Sequence, residues 1–344
     1  MENMHNDILL TIGIPTHNGS KYIAETIESI LKQSGLNSRQ VEILIADNAS
    51  TDSTHEIICQ YSKKYPDLLS YFRNDENIGY DRNVDMLFKK AKGAYVEILG
   101  DDDFYKNEFC LDKIMKTIKN NVNASVILLS VDFLDIVTHE ITNGFRVDKD
   151  LIFKNGDSFF SATKWASSAV SSLIIKREVW NKIDVEKYFG SLWIHVGALI
   201  NVLKGNAESY VIADPIIMVR TNNSRWQEHG GNQLECGLKH LNMFGEMIGL
   251  GYLKETYDLF LKDRYKHNFR DTLFLKPNKS AEKRRVTKLM IKYFKNYPLF
   301  WMLHVPAMFI PKHVFYPLLF ARNPIHFSKK IVYKWKTKRF QLFS

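Results

Sequence analysis

Short apolar runs alternate with segments of helical spacing through the first half of the chain. Leu9 to Ile14 is nearly all apolar and meets Pro15, which predicts a first strand stopped at that residue. After Ser20, the residues Ile23, Ile27, Ile30 and Leu31 share one helical face, and Val41 to Ala46 predicts a second strand. Leu69 to Phe72 makes a third. Val84, Leu87, Phe88 and Ala91 then fall at i, i+3, i+4 and i+7, and Gly93 is the expected stop of that helix. Tyr95 to Leu99 is the fourth predicted strand. Leu111, Ile114, Met115 and Ile118 give another amphipathic helix, followed by a strand over Ser125 to Val131. Strands separated by helices are the pattern of βαβ units, so the expected class is α/β, a mostly parallel sheet flanked by helices. Beyond about residue 150 the rhythm changes to a strand at Ser172 to Ile175, a helix after His195 and a Pro-broken stretch from Tyr210 to Val219. After Asn232 the pattern is helical and increasingly basic. A soft boundary near residue 225 divides an expected 1–225 domain from a helical, basic, membrane-associating region 226–344.

The predicted strands carry their acids at their ends. Asp101, Asp102 and Asp103 follow the fourth strand, and Asp47 to Asp52 follow the second. In an open parallel sheet the carboxyl ends of the strands share one edge, where ligands usually bind, so these two acidic loops are expected to converge. Three adjacent carboxylates repel one another and are best tolerated beside a cation. Their hard oxygens suit Mg²⁺ or Mn²⁺, which in turn bridges diphosphate oxygens. The bland alternative is a solvated acidic turn, and its position after a buried strand argues against it. In the earlier loop, Asp52 is read as a helix cap and Asp47 as a ligand contact.

Taken together, Ile12-Gly-Ile-Pro-Thr-His-Asn18, Ile45-Ala-Asp-Asn-Ala-Ser-Thr-Asp52, Asn77-Ile-Gly79, Arg82-Asn83 and Leu99-Gly-Asp-Asp-Asp103 resemble family 2 of the GT-A glycosyltransferases. The segments occur in the family's order and approximate spacing across about residues 8 to 220. Within the family, the Asn-Ile-Gly, Arg-Asn and Leu-Gly-Asp-Asp-Asp segments are similar to those of abequosyltransferase-like members. The resemblance implies a GT-A, Rossmann-like fold and transfer of one sugar from a nucleoside diphosphate donor with inversion. It also implies roles by position: Thr16 and Asp47 at the nucleobase and ribose, Arg82 at the nucleotide, Asp101 at the ribose, Asp102 at the metal and Asp103 as a second metal contact. An ordinary surface ion pair with Asp81 is the other reading of Arg82.

Inversion requires a base to take the acceptor's proton. Many relatives place an acidic pair just before a helix that follows a strand and an Arg-rich turn. Here that stretch is Leu192-Trp-Ile-His-Val196, without an acid, so His195 is the expected catalytic base, with Asp184 and Glu186 as alternatives. A satisfied core histidine is the competing reading. Asn222 to Trp226 partly matches the QxxRW segment of processive synthases, and Arg225 is either an acceptor-side or diphosphate contact or part of a plain loop.

Charge separates the two ends of the chain. The net charge is +9, yet no Asp or Glu follows Glu282, and 14 of the 47 Lys and Arg lie after it, leaving 33 basic against 38 acidic residues before. The stretch from Leu299 to Phe320 is rich in aromatic and aliphatic residues but broken by Pro306, Pro311 and Pro317, so it is a poor spanning helix and a better interfacial one. Lys329, Lys330, Lys334, Lys336, Lys338 and Arg339 cluster around Tyr333, Trp335 and Phe340, a composition suited to an anionic membrane surface. Nucleic acid is not the expected partner, because no recognisable motif for it accompanies the charge. Three scattered cysteines and a polar start at Met1 to Asp7 fit a cytoplasmic protein, peripheral at the inner face of the cell membrane, acting on a glycan or lipid-linked acceptor of the O-antigen or capsule type. Two other classes compete: a nucleotidyltransferase acting on sugar phosphates and a noncatalytic membrane-surface adaptor. Thr16-His-Asn-Gly19 lacks the Gly-rich, basic phosphate loop expected of the first.

Overall fold

A computed structural model describes residues 8–221, 240–241, 243–262, 280–298 and 300–306. In chain order its elements are β1 (Leu10–Thr16), α1 (Ile23–Leu31), β2 (Val41–Asp47), α2 (Thr54–Lys64), β3 (Leu69–Arg73), α3 (Tyr80–Lys90), β4 (Tyr95–Ile98) and β5 (Phe104–Tyr105). There follow α4 (Cys110–Asn120), β6 (Val126–Asp135), β7 (Ile141–Asn143), β8 (Leu151–Phe153), α5 (Gly156–Thr163), β9 (Leu173–Lys176), α6 (Arg177–Trp180), α7 (Ile194–Val202), β10 (Ser209–Thr221) and α8 (Ser280–Phe294).

The sheet has the order β3-β2-β1-β4-β9-β6-β10-β5, with β7 beside β6 and β8 beside β10. Strands β3, β2, β1 and β4 are parallel. Strand β9 is antiparallel to both β4 and β6. It follows that β6 runs in the same direction as β4. The carboxyl ends of β3, β2, β1, β4 and β6 and the amino end of β9 therefore share one edge of the sheet. Every residue of β1 and β2 is buried, as expected of parallel strands covered by helices on both faces. Ile12, Ile14, Ile27, Ile30, Ile114 and Ile118 belong to one packed layer, and Val84, Leu87, Phe88, Val96, Ile98 and Trp180 to the other.

Three sequence expectations are corrected by tertiary context. Strand β1 does not stop at Pro15 but runs through it, with Pro15 opposite Ala46 of β2. Its pairing with β4 ends at Gly13, so Pro15 lies where one side of the strand no longer needs a donor. Gly93 is not the helix stop. Helix α3 ends at Lys90, and Gly93 is needed because a β-carbon there would run into the backbone of Thr11 on β1. The Pro-broken stretch from Tyr210 to Val219 is instead part of one strand, β10. It pairs with β8 before Pro215 and with β5 after it, so the proline occupies the gap between two partners.

The chain forms two compact units, one of residues 1–133, 142–219 and 239–263 and one of residues 134–141, 220–238 and 264–344. In the first, residues 243–262 add an aromatic layer: Phe244 stacks on Phe260 at 3.9 Å, and the Tyr252 hydroxyl donates to the Ile200 carbonyl at 2.7 Å. In the second, Met290, Phe294 and Phe300 are buried, whereas Trp301 and Met302 are exposed. Among the described residues, no helix is long and apolar enough to cross a membrane. The expected boundary near 225, Arg225 itself and the basic cluster from Lys329 to Arg339 lie outside the described residues.

Candidate active site

The two acidic loops meet as the strand order requires. Thr16 ends β1 opposite Asp47 of β2, and its hydroxyl donates to Asp101 Oδ2 at 2.5 Å. Thr16, Asp47 and Asp101 are all buried. Between them Gly19 fits only because it has no side chain, since a β-carbon would overlap both Asp101 Oδ2 and Thr16 Oγ1. From below, the Thr26 hydroxyl of α1 faces the carbonyls of Asp101 at 3.1 Å and Asp103 at 2.8 Å, which holds the acidic turn onto the first helix.

Asp47 is turned inward rather than toward the open edge. Its Oδ1 accepts from the Ser50 amide at 2.9 Å and the Ser50 hydroxyl at 2.5 Å; its Oδ2 accepts from the Tyr71 hydroxyl at 3.0 Å and lies 3.5 Å from Arg73 Nε. These contacts fix a loop in which Ala49 has φ 57°, a left-handed conformation that a residue with a β-carbon seldom adopts. Asp52 is used as the sequence suggested, with Oδ1 accepting from the Thr54 amide at 3.1 Å at the start of α2 and Oδ2 from the Ser20 amide at 3.2 Å.

Asparagines join the neighbouring loops. Asn48 Oδ1 accepts from Asn74 Nδ2 at 3.1 Å and from the Ile78 amide at 2.9 Å, while Asn48 Nδ2 donates to Asn77 Oδ1 at 2.8 Å. Asn83 Nδ2 donates to the Ala46 carbonyl at 2.8 Å, and its Oδ1 accepts from Asn74 at 3.0 Å. The loops after β2 and β3 and the first turn of α3 are thereby locked to each other. That turn carries Arg82, whose exposed guanidinium lies 4.8 Å from the centre of the Phe189 ring. Its neighbour Asp81 is buried and accepts from the amides of Leu192 at 2.8 Å and Ile194 at 3.1 Å, so α3 also holds the loop before α7.

Asp103 is buried and Asp102 partly exposed. A β-carbon on Gly100 would lie 3.2 Å from Asp102 Oδ1 and 3.2 Å from Asp103 Oδ2, so both carboxylates fold over the same point of the backbone. Asp103 Oδ2 accepts from the Ser171 hydroxyl at 2.5 Å, and Ser171 Oγ accepts from the Gly100 amide at 2.9 Å. Among the described residues there is no group of three or more His, Cys, Asp or Glu arranged to hold a metal. Two carboxylates beside an open edge nevertheless suit Mg²⁺ or Mn²⁺, which commonly keep one or two protein carboxylates and complete their shell with phosphate oxygens and water.

His195 is not at the open edge. It is fully buried in α7, its Nε2 faces the Ser168 carbonyl at 3.1 Å, and burial pushes its pKa down to about 4. With Nε2–H donating to that carbonyl, Nδ1 carries a lone pair that has no hydrogen-bond partner among the described residues. The ring is enclosed, with Tyr80 edge-on and Trp193 beside it. The structure thus places His195, the base expected from sequence, in the interior rather than at the open edge. Of the two acidic alternatives, Glu186 acts electrostatically on Lys89 in the last turn of α3, at the end opposite the acidic loops. What His195 does hold is the segment 164–172, which leads into Ser171 and so supports Asp103. Ser171 had no sequence signal. The asparagines Asn77 and Asn83 lay within the quoted segments, but their partners became visible only in the fold.

A partly parallel sheet with two acidic loops meeting at its carboxyl edge is the arrangement expected of a GT-A fold. The family model described as glycosyl transferase family 2 matches residues 11–165. Abequosyltransferase RfbV of Salmonella typhimurium is 31% identical over 236 residues, 65% of this chain and 70% of that protein. The chain belongs to glycosyl transferase family 2. Among solved structures it is similar to S. aureus TarS 1-349 in complex with UDP-GlcNAc, with a TM-score of 0.61 at 17% identity over 85% of this chain and 82% of that one. It is also similar to mannosyltransferase PcManGT from Pyrobaculum calidifontis in complex with GDP-Man and Mn²⁺, with a TM-score of 0.54 at 14% identity over 87% of this chain and 84% of that one. The chain is thus a glycosyltransferase of GT-A fold.

Proposed function

We propose that the protein is an inverting, metal-dependent transferase that moves one sugar from a nucleoside diphosphate donor to a hydroxyl of a cell-surface glycan precursor, lipid-linked and of the O-antigen or capsule type. The observation that carries this reading is the meeting of Thr16 and Asp101 beside Asp47 at the carboxyl edge of the parallel strands. Three relatives or neighbours agree with it: an abequosyltransferase by sequence and two structures named for complexes with nucleotide sugars, one of them with Mn²⁺. In this reading Asp101 and Thr16 form the ribose side of the donor site and Arg82 contacts the nucleotide. Asp47 acts mainly by shaping the 47–52 loop, because both its oxygens are occupied. Asp102 and Asp103 would hold Mn²⁺ or Mg²⁺, which when bound would neutralise the leaving diphosphate. His195 acts as a positioning residue for the 164–172 segment. The exposed Trp301 and Met302 and the basic cluster from Lys329 to Arg339 fit attachment at the inner face of the cell membrane, where a lipid-linked acceptor would be presented.

Thermal unfolding of the full-length protein with UDP, GDP, CDP and dTDP sugars tests the donor site. One of them, with Mn²⁺, is expected to raise the apparent stability by about 2.7 kcal/mol when present at roughly 100 times its Kd. Asp102→Asn is expected to remove the metal's contribution and lower turnover by about 10²-fold or more. Stabilisation by no nucleotide sugar, together with full activity of Asp102→Asn, would falsify the reading and return attention to the nucleotidyltransferase or adaptor classes.

A further inference from the structure

Asp132, near the carboxyl end of β6, is buried, and each of its oxygens meets a different cation: Oδ2 accepts from Lys106 Nζ at 2.6 Å, and Oδ1 from Arg146 Nη2 at 2.5 Å. Burial alone would raise its pKa, but the two cations hold it below the usual carboxylate range. It is therefore ionised, and the cluster carries one positive charge in excess. Structural neutralisation needs a single partner, as in the one-to-one pairs Lys154 with Glu208 and Lys187 with Glu246. Here there are two, and both reach solvent: the side chain of Asp132 is 2% exposed, those of Lys106 and Arg146 are 32% and 39% exposed. Among the described residues Arg146 spends only one of its guanidinium donors, on Asp132.

The place of the cluster in the fold is as informative as its charge. Because β6 runs parallel to β4, Asp132 comes out at the same sheet edge as Asp101, Asp102 and Asp103, on the side away from β2 and β3. Lys106 follows Asp103 by three residues, so its Cα lies within about 11 Å of that of Asp103 even if the chain between them is fully extended. That is roughly the span of one or two sugar rings, the separation expected between an attacking hydroxyl and a phosphate on the same acceptor. A guanidinium with free donors beside a lysine ammonium is the pairing that binds phosphoryl oxygens well.

We propose that Lys106 and Arg146, gathered by Asp132 at the active-site edge, form a subsite for a phosphoryl group carried by the sugar acceptor. This rests on the reading of the protein as a transferase onto a glycan precursor, and it adds that the precursor bears phosphate near the accepting sugar. The phosphate belongs either to a lipid anchor or to a soluble phosphorylated glycan, and the chemistry of recognition is shared.

The test uses the full-length protein without metal, in EDTA, so that the donor site does not compete for the probe. Binding of inorganic phosphate is followed by ³¹P line broadening, and binding to phosphatidylcholine vesicles with and without phosphatidic acid is followed by sedimentation. Two variants are compared with the parent: Arg146→Gln, and the triple variant Lys106→Gln, Asp132→Asn, Arg146→Gln, in which no buried charge is left unpaired. Both are expected to bind inorganic phosphate at least tenfold more weakly than the parent. A loss confined to phosphatidic acid vesicles also supports the subsite and assigns the phosphate to a lipid, since the basic tail is the same in all three proteins. Unchanged affinity for both probes in the two variants overturns the proposal, as does equal loss in Asp102→Asn, which would place the phosphate in the donor site. Nucleotide-sugar binding, measured in parallel, reports separately on whether the transferase reading stands.

Discussion

Around β1, β2 and β3 the sheet edge is cross-linked by uncharged amides and inward-turned carboxylates; across β9 and β6 it is held by a serine, a sealed histidine and a two-cation cluster. On the first side, Asn48, Asn74, Asn77 and Asn83 bind backbone and one another, and Asp47 is satisfied by Ser50 and Tyr71. On the second, Asp103 depends on Ser171, whose segment is held through Ser168 by His195, and Asp132 leaves two cations facing solvent. The difference fits two tasks. A donor of constant chemistry is served by a rigid, pre-organised rim, because orientation set in advance need not be purchased on binding. In the proposed reading, an acceptor is met on the second side by charge and by segments whose shape is set at longer range.

The sharpest way to break the donor side is Gly19→Ala. The added methyl overlaps the Thr16 to Asp101 contact, and displacement of such a contact by about 1 Å lowers turnover on the order of 10²-fold. Steady-state kinetics with a saturating acceptor would show it. Turnover close to the parent value would mean that the contact is not part of donor positioning.

An effect on stability rather than turnover separates two buried titratable groups. Glu97 on β4 is fully buried, its Oε2 accepts from the Tyr105 hydroxyl at 2.6 Å, and burial pushes its pKa up to about 7. Its folded pKa lies above its unfolded value, so the folded state binds more protons between about pH 4.5 and 7 and loses stability as pH rises through that window, by up to about 3 kcal/mol. His195 has the opposite sign. Its folded pKa, about 4, lies below its unfolded value, so its contribution is lost as pH falls from about 6.5 through 4. In the parent the two slopes oppose each other across the shared range. Urea unfolding from pH 4.5 to 7 is expected to give a rising profile for Glu97→Gln and a falling one for His195→Gln. Gln at 195 should also keep a donor to the Ser168 carbonyl and preserve turnover better than Ala. Parallel profiles for both variants would refute the opposed assignment.

A further test concerns the proposed membrane attachment. Replacing Lys329, Lys330, Lys334, Lys336, Lys338 and Arg339 with Gln should weaken binding to anionic vesicles, with each charge worth about 1 kcal/mol, while leaving nucleotide-sugar affinity unchanged. Equal sedimentation with anionic vesicles before and after the change would remove the membrane role from these residues.

What the chain order of residues determined was the acidic edge at the ends of β2 and β4. Alternation of apolar strands and amphipathic helices specifies a parallel sheet, a parallel sheet places the ends of β2 and β4 on one edge, and the acids sit at those ends, so Asp47 and Asp101 to Asp103 were legible together. Local periodicity could not show how each of them would be used. Burial turned Asp47 inward and closed His195, and two of the neighbours responsible, Tyr71 for Asp47 and Ser168 for His195, are set by packing between separated segments. The two-cation cluster belonged to tertiary structure for the same reason. Lys106 stays near Asp103 by sequence, but Asp132 joins it because β6 pairs antiparallel to β9 and so runs with β4, which sets Asp132 on the edge that Asp103 occupies.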